Sequence, residues 1–343
     1  MILWTRRMIH AASVAAAAVA VVLAATGASA QPQPVEDLIK AAKAEGSLLI
    51  YSSSGEEENK YVTSRFEAKY GIKTTYIRLV ANSLFQRFVA ENRSQGNQAD
   101  ILNSSTPIFF RDHPSLFLDF DEKSIPNLKT VPEQWRGRNY FTFATSPLVI
   151  AYNTAQMKGD VPKSWPELLE PRWRGKLLLN DLREGDIYLA WIDGIEKKYG
   201  MDFVKKIASM KPNLINSGSS GAQQVAAGAY AANFPTFLMF SQGLIRKNAP
   251  VAIGFMTDML MVSERDYAIP KAAPHPNAAR LFINWLASEE VMRDACKTMT
   301  MASPRDPDGK AGCIALKNIT RADFNIPKER AATLLQAVGL GAR

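Results

Sequence analysis

The sequence predicts an α/β protein with two lobes, and two observations support that class. Short apolar strands alternate with amphipathic helices between residues 47 and 103, a pattern typical of a parallel sheet with helices on its faces. The chain has 343 residues, which is too long for one compact core and suits two domains of about 150 residues each.

The opening alternation supplies five elements in close succession. Each strand is short and rich in apolar or β-branched residues, and the second helix has a clear apolar face. The predicted order is strand Ser47–Ser52, helix Glu56–Tyr70, strand Lys73–Leu79, helix Asn82–Arg93 and strand Ala99–Asn103.

Hydroxyl groups follow the first and third of these strands. In parallel α/β sheets, ligands bind beyond the carboxyl ends of the strands. Three glutamates at residues 56–58 suit the positive end of the first helix dipole, but they would repel an anion unless they point outward. The strand-end rule predicts ligand-binding roles for Ser53, Ser54, Gly55, Ser104, Ser105 and Thr106.

The first thirty residues are predicted to be a signal peptide. Arg6 and Arg7 form a positive start, residues 11–25 an apolar core, and Ala28-Ser29-Ala30 a cleavage site. The apolar run is shorter than the roughly 20 residues that span a membrane, which argues against a retained anchor. We therefore expect a free periplasmic protein. Export by the general secretory route is favoured, because Thr5-Arg6-Arg7 matches a twin-arginine signal only in part.

Charge and cysteine content narrow the function further. The formal net charge is +8, but the basic residues are scattered, so we expect a solvated surface and no nucleic-acid partner. The two cysteines, Cys296 and Cys313, favour a disulfide in an oxidising compartment. A nucleophilic thiol is the alternative.

Several later elements resemble those of a known family. These are Ser164-Trp165, Leu168-Leu169, Trp173-Arg174-Gly175-Lys176, Pro304-Arg305 and the helical segment Ala272–Val291. In order and type they are similar to signatures of periplasmic solute-binding proteins of ABC importers, of the iron(III)-type extracellular solute-binding family. On physical grounds alone, the two tryptophans are also ordinary packing residues.

The resemblance implies a type II periplasmic-binding-protein fold, with two α/β lobes joined by crossing strands around a ligand cleft. Residues 31–145 and 268–343 would form lobe 1, and residues 146–267 lobe 2. We expect the crossings near Thr145–Asn153 and Gly254–Ala268, with Val251–Val262 as the returning strand. The implied partners are a small-molecule solute and an inner-membrane ABC permease with its cytoplasmic ATPase. We expect a monomer without a cofactor.

The family's ferric ligands are missing from this chain. Gly55 falls where the resemblance expects a histidine, Ser105 where it expects a glutamate, and Phe234 and Pro235 where it expects a tyrosine pair. Ferric iron prefers anionic oxygen ligands. We therefore expect no metal site and a small polar organic solute with hydroxyl, carboxylate or phosphate oxygens. A ferric-iron or iron-chelate cargo is the alternative.

Lobe 2 adds further candidates for ligand binding. The SGSSG segment at residues 217–221 suits an anion-binding helix N-terminus or an ordinary turn with an N-cap. Arg183 suits a carboxylate or phosphate, or a surface position beside Glu184 and Asp186. The lobe 2 candidates are Arg183, Ser219, Ser220, Asn233, Phe234 and Thr236.

Two other functional classes stay open. No G-x-S-x-G, HExxH, CxxC or Walker motif is present, so we expect no catalytic residues, although some enzymes share the two-lobed fold. A sensory adaptor that docks to a receptor is the second alternative.

Overall fold

The computed structural model describes residues 35–79, 81–299 and 301–341, so the predicted signal peptide lies outside the described residues. The opening alternation is confirmed. Strand β1 (Ser47–Ser52) pairs in parallel with β2 (Lys73–Arg78) and with β3 (Ile101–Ser104). The connecting helices are α2 and α3, and α1 precedes the first strand. Their bounds are α1 Val35–Glu45, α2 Glu56–Tyr70 and α3 Ala81–Arg93.

One long strand joins two halves of a single sheet. The first part of β4 (Tyr140–Asn153) pairs with the antiparallel strand β9 (Leu260–Ala268), which also pairs with β3. Its last residues pair instead with β7 (Ala232–Phe237) and β8 (Val251–Gly254). The crossing predicted near Thr145–Asn153 is therefore only the second part of β4. The polypeptide passes between the two halves through this strand.

The remaining strands extend the two halves. β5 (Leu177–Asn180) pairs in parallel with β7, and β6 (Asn213–Ile215) pairs in parallel with β5. β10 (Ile319–Arg321) pairs with β9. Within the described part of the chain, the strand order is β2-β1-β3-β9-β4-β7-β5-β6, with β8 and β10 paired to the side.

Helices cover this sheet and close its two cores. They are α4 Ile108–Asp112, α5 Trp165–Leu168, α6 Asp186–Tyr199, α7 Met201–Ser209, α8 Gly218–Ala226, α9 Met239–Arg246, α10 Pro276–Leu286, α11 Glu289–Met299 and α12 Lys328–Ala337. No helix in the described ranges is long and apolar enough to cross a membrane.

Two separate hydrophobic cores hold the halves. In the first, Phe66 of α2 packs on Phe282 and Trp285 of α10, with ring centroids 5.2 and 5.4 Å apart. In the second, Trp165 and Trp191 lie 5.0 Å apart. The helix predicted within residues 272–291 is α10, and its buried apolar face packs in the first core.

The predicted returning strand Val251–Val262 is wrong as a single element. Residues 251–254 form β8, and a turn separates them from β9. Asp258 holds this turn, because its carboxylate accepts hydrogen bonds from the Trp165 backbone N–H and from the Tyr199 hydroxyl. A polar turn residue inside an apolar run was the signal for the break.

The predicted disulfide is confirmed. Cys296 on α11 bonds to Cys313, with the two Cα atoms 4.5 Å apart. Both side chains pack in a small cluster with Met292 and Ala311. There is no free thiol in the described ranges, so the alternative of a nucleophilic cysteine has no support there.

Candidate ligand-binding cleft

A cavity of about 590 Å³ opens beyond the carboxyl ends of β1 and β3. One wall comes from the loops after these strands and from the start of α2. The other wall comes from α8, from α9 and from the residues just before α9. The middle of β4 and β9 forms the floor between them. The strand-end rule therefore located the cavity correctly.

Two serines from the first half line this cavity and are tied to each other. The backbone N–H of Ser105 donates to the Ser53 hydroxyl over 3.1 Å, and the backbone N–H of Ser53 donates to the Asn103 carbonyl over 3.0 Å. Gly55, which caps α2, also lines the cavity. These contacts fix the two loops beside each other.

The neighbouring serines lie behind this wall. Ser54 is buried, and its hydroxyl is 2.6 Å from the Asn103 side-chain oxygen and 2.9 Å from Glu58. The buried Ser104 hydroxyl accepts the backbone N–H of Thr106 over 3.0 Å. None of Ser54, Ser104 and Thr106 lines the cavity, and the two hydroxyls instead shape the loops that do.

A buried ion pair supports the cavity floor. Arg265 of β9 donates to the Glu58 carboxylate over 2.9 Å, and each side chain is only 10% exposed. Arg265 also donates to the Ser146 hydroxyl over 2.6 Å. The Tyr267 hydroxyl donates to Glu58 over 2.9 Å, and burial together with Glu58 raises the pKa of Tyr267 well above its usual value.

This ion pair was not predicted from the sequence. Glu58 looked like one of three interchangeable glutamates at a helix start, whereas it points inward and its two neighbours stay exposed. The available signal was the run Glu264-Arg265-Asp266, because charged residues inside a buried strand require partners.

The SGSSG segment is the first turn of a helix and its cap. The Ser217 hydroxyl accepts the backbone N–H of Ser220 over 3.3 Å. Gly218 and Gly221 are needed for close packing, since a Cβ atom would lie 2.2 Å from the Phe240 ring and 2.3 Å from the Asn233 amide nitrogen. Ser219 lines the cavity, whereas Ser220 does not.

The other predicted residues of the second half lie away from the cavity lining. Phe234 packs between Trp165 and Trp191 in the core. Asn233 is buried and accepts from Asn180 over 3.0 Å, and Thr236 is fully buried. The side chains of these three residues are buried because β7 is covered on both faces. The sequence of the strand alone does not show that both faces are covered.

Arg183 is engaged elsewhere. Its guanidinium donates to Asp181 over 2.6 Å and to the Gly341 carbonyl over 3.3 Å. It does not line the cavity. Its ion-pair partner is Asp181, whose hydrogen bond raises the pKa of Arg183, and the charge of the nearby Glu184 also raises that pKa, as the surface interpretation expected.

Additional charged side chains border the cavity. Glu57 lies 3.7 Å from Arg246 of α9, so this pair bridges the two walls. Glu56 lies 3.2 Å from Lys60, and hydrogen bonds from Tyr76 and Lys60 lower the pKa of Glu56. Arg78 and Lys247 complete the charged lining.

The four positions at which the family resemblance expects ferric ligands carry glycine, serine, phenylalanine and proline. Across the described residues, no group of three or more histidine, cysteine, aspartate or glutamate side chains is arranged to hold a metal. Phe234, at the position where the family resemblance expects a tyrosine, is buried in the core.

A Ser–His–Asp hydrogen-bond chain lies at the opposite end of β1. The Ser47 hydroxyl is 3.0 Å from His275 Nε2, and His275 Nδ1 is 3.0 Å from the Asp100 carboxylate. Asp100 is fully buried and also accepts the backbone N–H groups of Leu49 and His275. The chain therefore ties β1, β3 and the start of α10 together.

Comparison with known proteins agrees with this architecture. A family model described as bacterial extracellular solute-binding protein matches residues 99–327. An uncharacterized protein of Haemophilus influenzae is 25% identical over 263 residues, which cover 73% of this chain and 75% of that protein.

Solved structures show the same fold. The substrate-binding protein of an ABC transporter from Agrobacterium tumefaciens has a TM-score of 0.72 at 14% identity, covering 85% of this chain and 93% of that one. Iron-bound HitA from Pseudomonas aeruginosa has a TM-score of 0.66 at 18% sequence identity, and the match covers 85% of this chain and 96% of HitA. AfuA from Actinobacillus pleuropneumoniae, with fructose-6-phosphate bound, has a TM-score of 0.62 at 19% sequence identity, and the match covers 86% of this chain and 97% of AfuA. The predicted two-lobed periplasmic-binding-protein fold is thereby confirmed.

Proposed function

Because this chain belongs to the family of bacterial extracellular solute-binding proteins, we propose that it captures a small polar organic solute in the periplasm and delivers it to an inner-membrane ABC permease. In this proposal the mature protein acts as a monomer without catalysis, after removal of residues 1–30. Residues 31–145 and 268–321 form one lobe, residues 146–267 form the other, and β4 and β9 serve as the crossings. Helix α12 belongs with the second lobe, because Leu334 and Leu335 pack in the same core as Trp165 and Trp191. The expectation that all of residues 268–343 lie in the first lobe is therefore wrong.

The observation that carries the proposal is the chemistry of the cavity wall. Hydroxyl groups of Ser53, Ser105 and Ser219 line it together with the Gln223 amide. The first turns of α2, α8 and α9 border it as well, and the positive end of a helix dipole favours negatively charged or polar oxygen groups. Such a wall suits an oxygen-rich organic solute.

Ferric iron is the second candidate, and one observation favours it. Iron-bound HitA shares the fold. The cavity of this chain offers no tyrosine, and Gly55, Ser105, Phe234 and Pro235 provide no carboxylate, phenol or imidazole. The carboxylates of the lining, on Glu56, Glu57 and Glu58, are each paired with a cation. In this second proposal iron therefore arrives as a chelate whose organic oxygens contact the wall.

A thermal-shift screen tests the proposal. A ligand that binds only the folded protein stabilises it by RT ln(1 + [L]/Kd), so an organic solute at a hundred times its Kd should add about 2.7 kcal/mol. We expect carboxylates or phosphate esters to raise the Tm of the protein without added metal. If only ferric salts raise it, and a chelator reverses the rise, the organic-solute proposal is wrong.

A further inference from the structure

The acidic and basic side chains that line the cavity differ in whether they have ion-pair partners within the protein. Each of its three carboxylates already has a cationic partner. Glu56 lies 3.2 Å from Lys60, Glu57 lies 3.7 Å from Arg246, and Glu58 lies 2.9 Å from Arg265. The negative charge of the lining is thus neutralised within the protein.

Two cationic side chains of the lining are left over. In the described ranges, neither Arg78 nor Lys247 has a carboxylate within 4.0 Å, although the charge of Arg78 is near enough to Glu56 to help lower the pKa of that carboxyl. Arg78, at the end of β2, uses its Nε to donate to the Ser54 carbonyl over 2.9 Å. Both terminal amino groups of its guanidinium stay available. Lys247 directly follows α9 and so approaches the cavity from the other wall.

Two hydroxyl groups of the lining, on Ser53 and Ser146, are available to donate hydrogen bonds to a ligand. Ser53 accepts the Ser105 N–H, and Ser146 accepts from Arg265. Each oxygen already accepts one hydrogen bond from the protein, and the hydrogen bonds of the described residues do not use the hydroxyl protons, so each hydroxyl can donate to a ligand oxygen. Ser263 differs, because its hydroxyl donates to the Ser105 carbonyl over 3.3 Å.

We infer that the captured solute is an organic anion with two negative charges, held by Arg78 and Lys247 as the residues that determine specificity. The inference rests on the proposed function and names the substrate class of that same cavity. A phosphate monoester carries about −1.5 to −2 charges at neutral pH, and a dicarboxylate carries two. Both present the oxygens that a guanidinium and an ammonium group recognise.

A polyamine is the opposite kind of solute, and the three glutamates of the lining suggest it at first sight. To bind the deepest glutamate, a polyamine would have to displace Arg265 from Glu58. A buried charge that loses its partner is strongly destabilising, so the cavity disfavours cations. Neutral sugars would leave Arg78 and Lys247 without a counter-charge.

Calorimetry and thermal shift on the purified mature protein test the inference. The probes are glycerol 3-phosphate and succinate as dianions, glycerol and succinamide as their neutral counterparts, and putrescine as a dication, at low ionic strength. The variants are Arg78→Gln and Lys247→Gln. Lys40→Gln on α1 is the matched control, because it removes one charge from an exposed side chain that does not line the cavity.

We expect the dianions to bind and their neutral and cationic counterparts to bind at least tenfold more weakly. Arg78→Gln and Lys247→Gln should each weaken dianion binding tenfold or more, whereas Lys40→Gln should leave it within about twofold. Tighter binding of glycerol, succinamide or putrescine overturns the inference while the proposed function stands. Unchanged dianion affinity in both cavity variants also overturns it. A response to ferric salts alone overturns the proposed function itself.

Discussion

The two ends of strand β1 carry similar chemistry and play different roles. At its carboxyl end, a serine loop meets the buried Glu58–Arg265 pair beside a cavity of about 590 Å³. At its amino end, Ser47 meets the buried Asp100 through His275. None of Ser47, Asp100 and His275 lines this cavity.

This difference shows why a hydrogen-bonded polar set does not by itself define a functional site. The Ser–His–Asp chain has the order of a catalytic triad, yet a triad also needs an oxyanion site and room for a substrate. Here Glu45 occupies the start of α10, accepting the backbone N–H groups of Asn277 and Ala278. We therefore assign a structural role to the amino end, and the proposed solute binding belongs to the carboxyl end.

The largest effect is expected from breaking the buried pair at the carboxyl end. Glu58→Gln leaves Arg265 without a carboxylate, so the free energy of unfolding should fall by about 3–5 kcal/mol. Urea denaturation measures this loss. Glu57→Gln is the matched control, because its ion pair is exposed and should change stability by less than about 1 kcal/mol. Equal effects of the two substitutions would show that Glu58 has no structural role.

The next effect separates stability from binding at the amino end. Asp100→Ala removes the acceptor of two backbone N–H groups, 2.8 and 2.7 Å away, and should destabilise the protein by about 2–3 kcal/mol. Solute affinity should not change. Asp119→Ala, which breaks the surface pair with Arg138, is the control. A loss of affinity in Asp100→Ala would contradict the division of roles between the two ends.

A pH-dependent effect is expected on the other side of β9. Burial and the nearby Glu264 raise the pKa of Asp266, although Thr142 donates to it and Arg321 and Arg111 lie near. Stability from the protonated carboxyl is thus full below its ordinary pKa and is lost as pH rises through the raised value. Asp266→Asn keeps the neutral form, so its stability relative to the wild type should increase with pH, by about 1.4 kcal/mol per unit of raised pKa.

Denaturant unfolding at several pH values between 4 and 8 measures this difference. Asp308→Asn, at an exposed position beside Lys310, controls for the removal of one negative charge. A stability difference between Asp266→Asn and the wild type that does not vary with pH would show that Asp266 is ionised throughout.

The smallest effect tests the enzyme alternative. Ser47→Ala removes one hydrogen bond to His275 and should change stability by about 1 kcal/mol or less. Hydrolysis of p-nitrophenyl acetate by the wild type should equal the background rate of the Ser47→Ala protein. A wild-type rate that the substitution abolishes would mean that the amino end is catalytic.

Local patterns predicted the elements of the fold, because hydrophobic periodicity and helix starts are set by neighbouring residues. The alternation from β1 to β3 and the position of the cavity followed from such patterns. The Glu58–Arg265 ion pair could not be predicted from such local patterns, because the two residues are 207 positions apart in the sequence. Phe234 and Asn233 were proposed as cleft residues, but both faces of β7 are buried, and only tertiary packing determines that.

The residues that carry the substrate inference were also hidden from the sequence. Arg78 and Lys247 are ordinary surface cations in the sequence. Their importance comes from the ion pairs around them, which consume the other charges of the cavity. Charge balance within a cavity is a property of the folded chain.

Native mass spectrometry of the mature protein, purified without denaturation, tests the central claim most directly. We predict that the wild type and Ser47→Ala carry a small organic anion, and that the Arg78→Gln/Lys247→Gln double variant has lost it. A bound mass that corresponds to iron alone, or an organic solute that the double variant retains in full, would contradict the account.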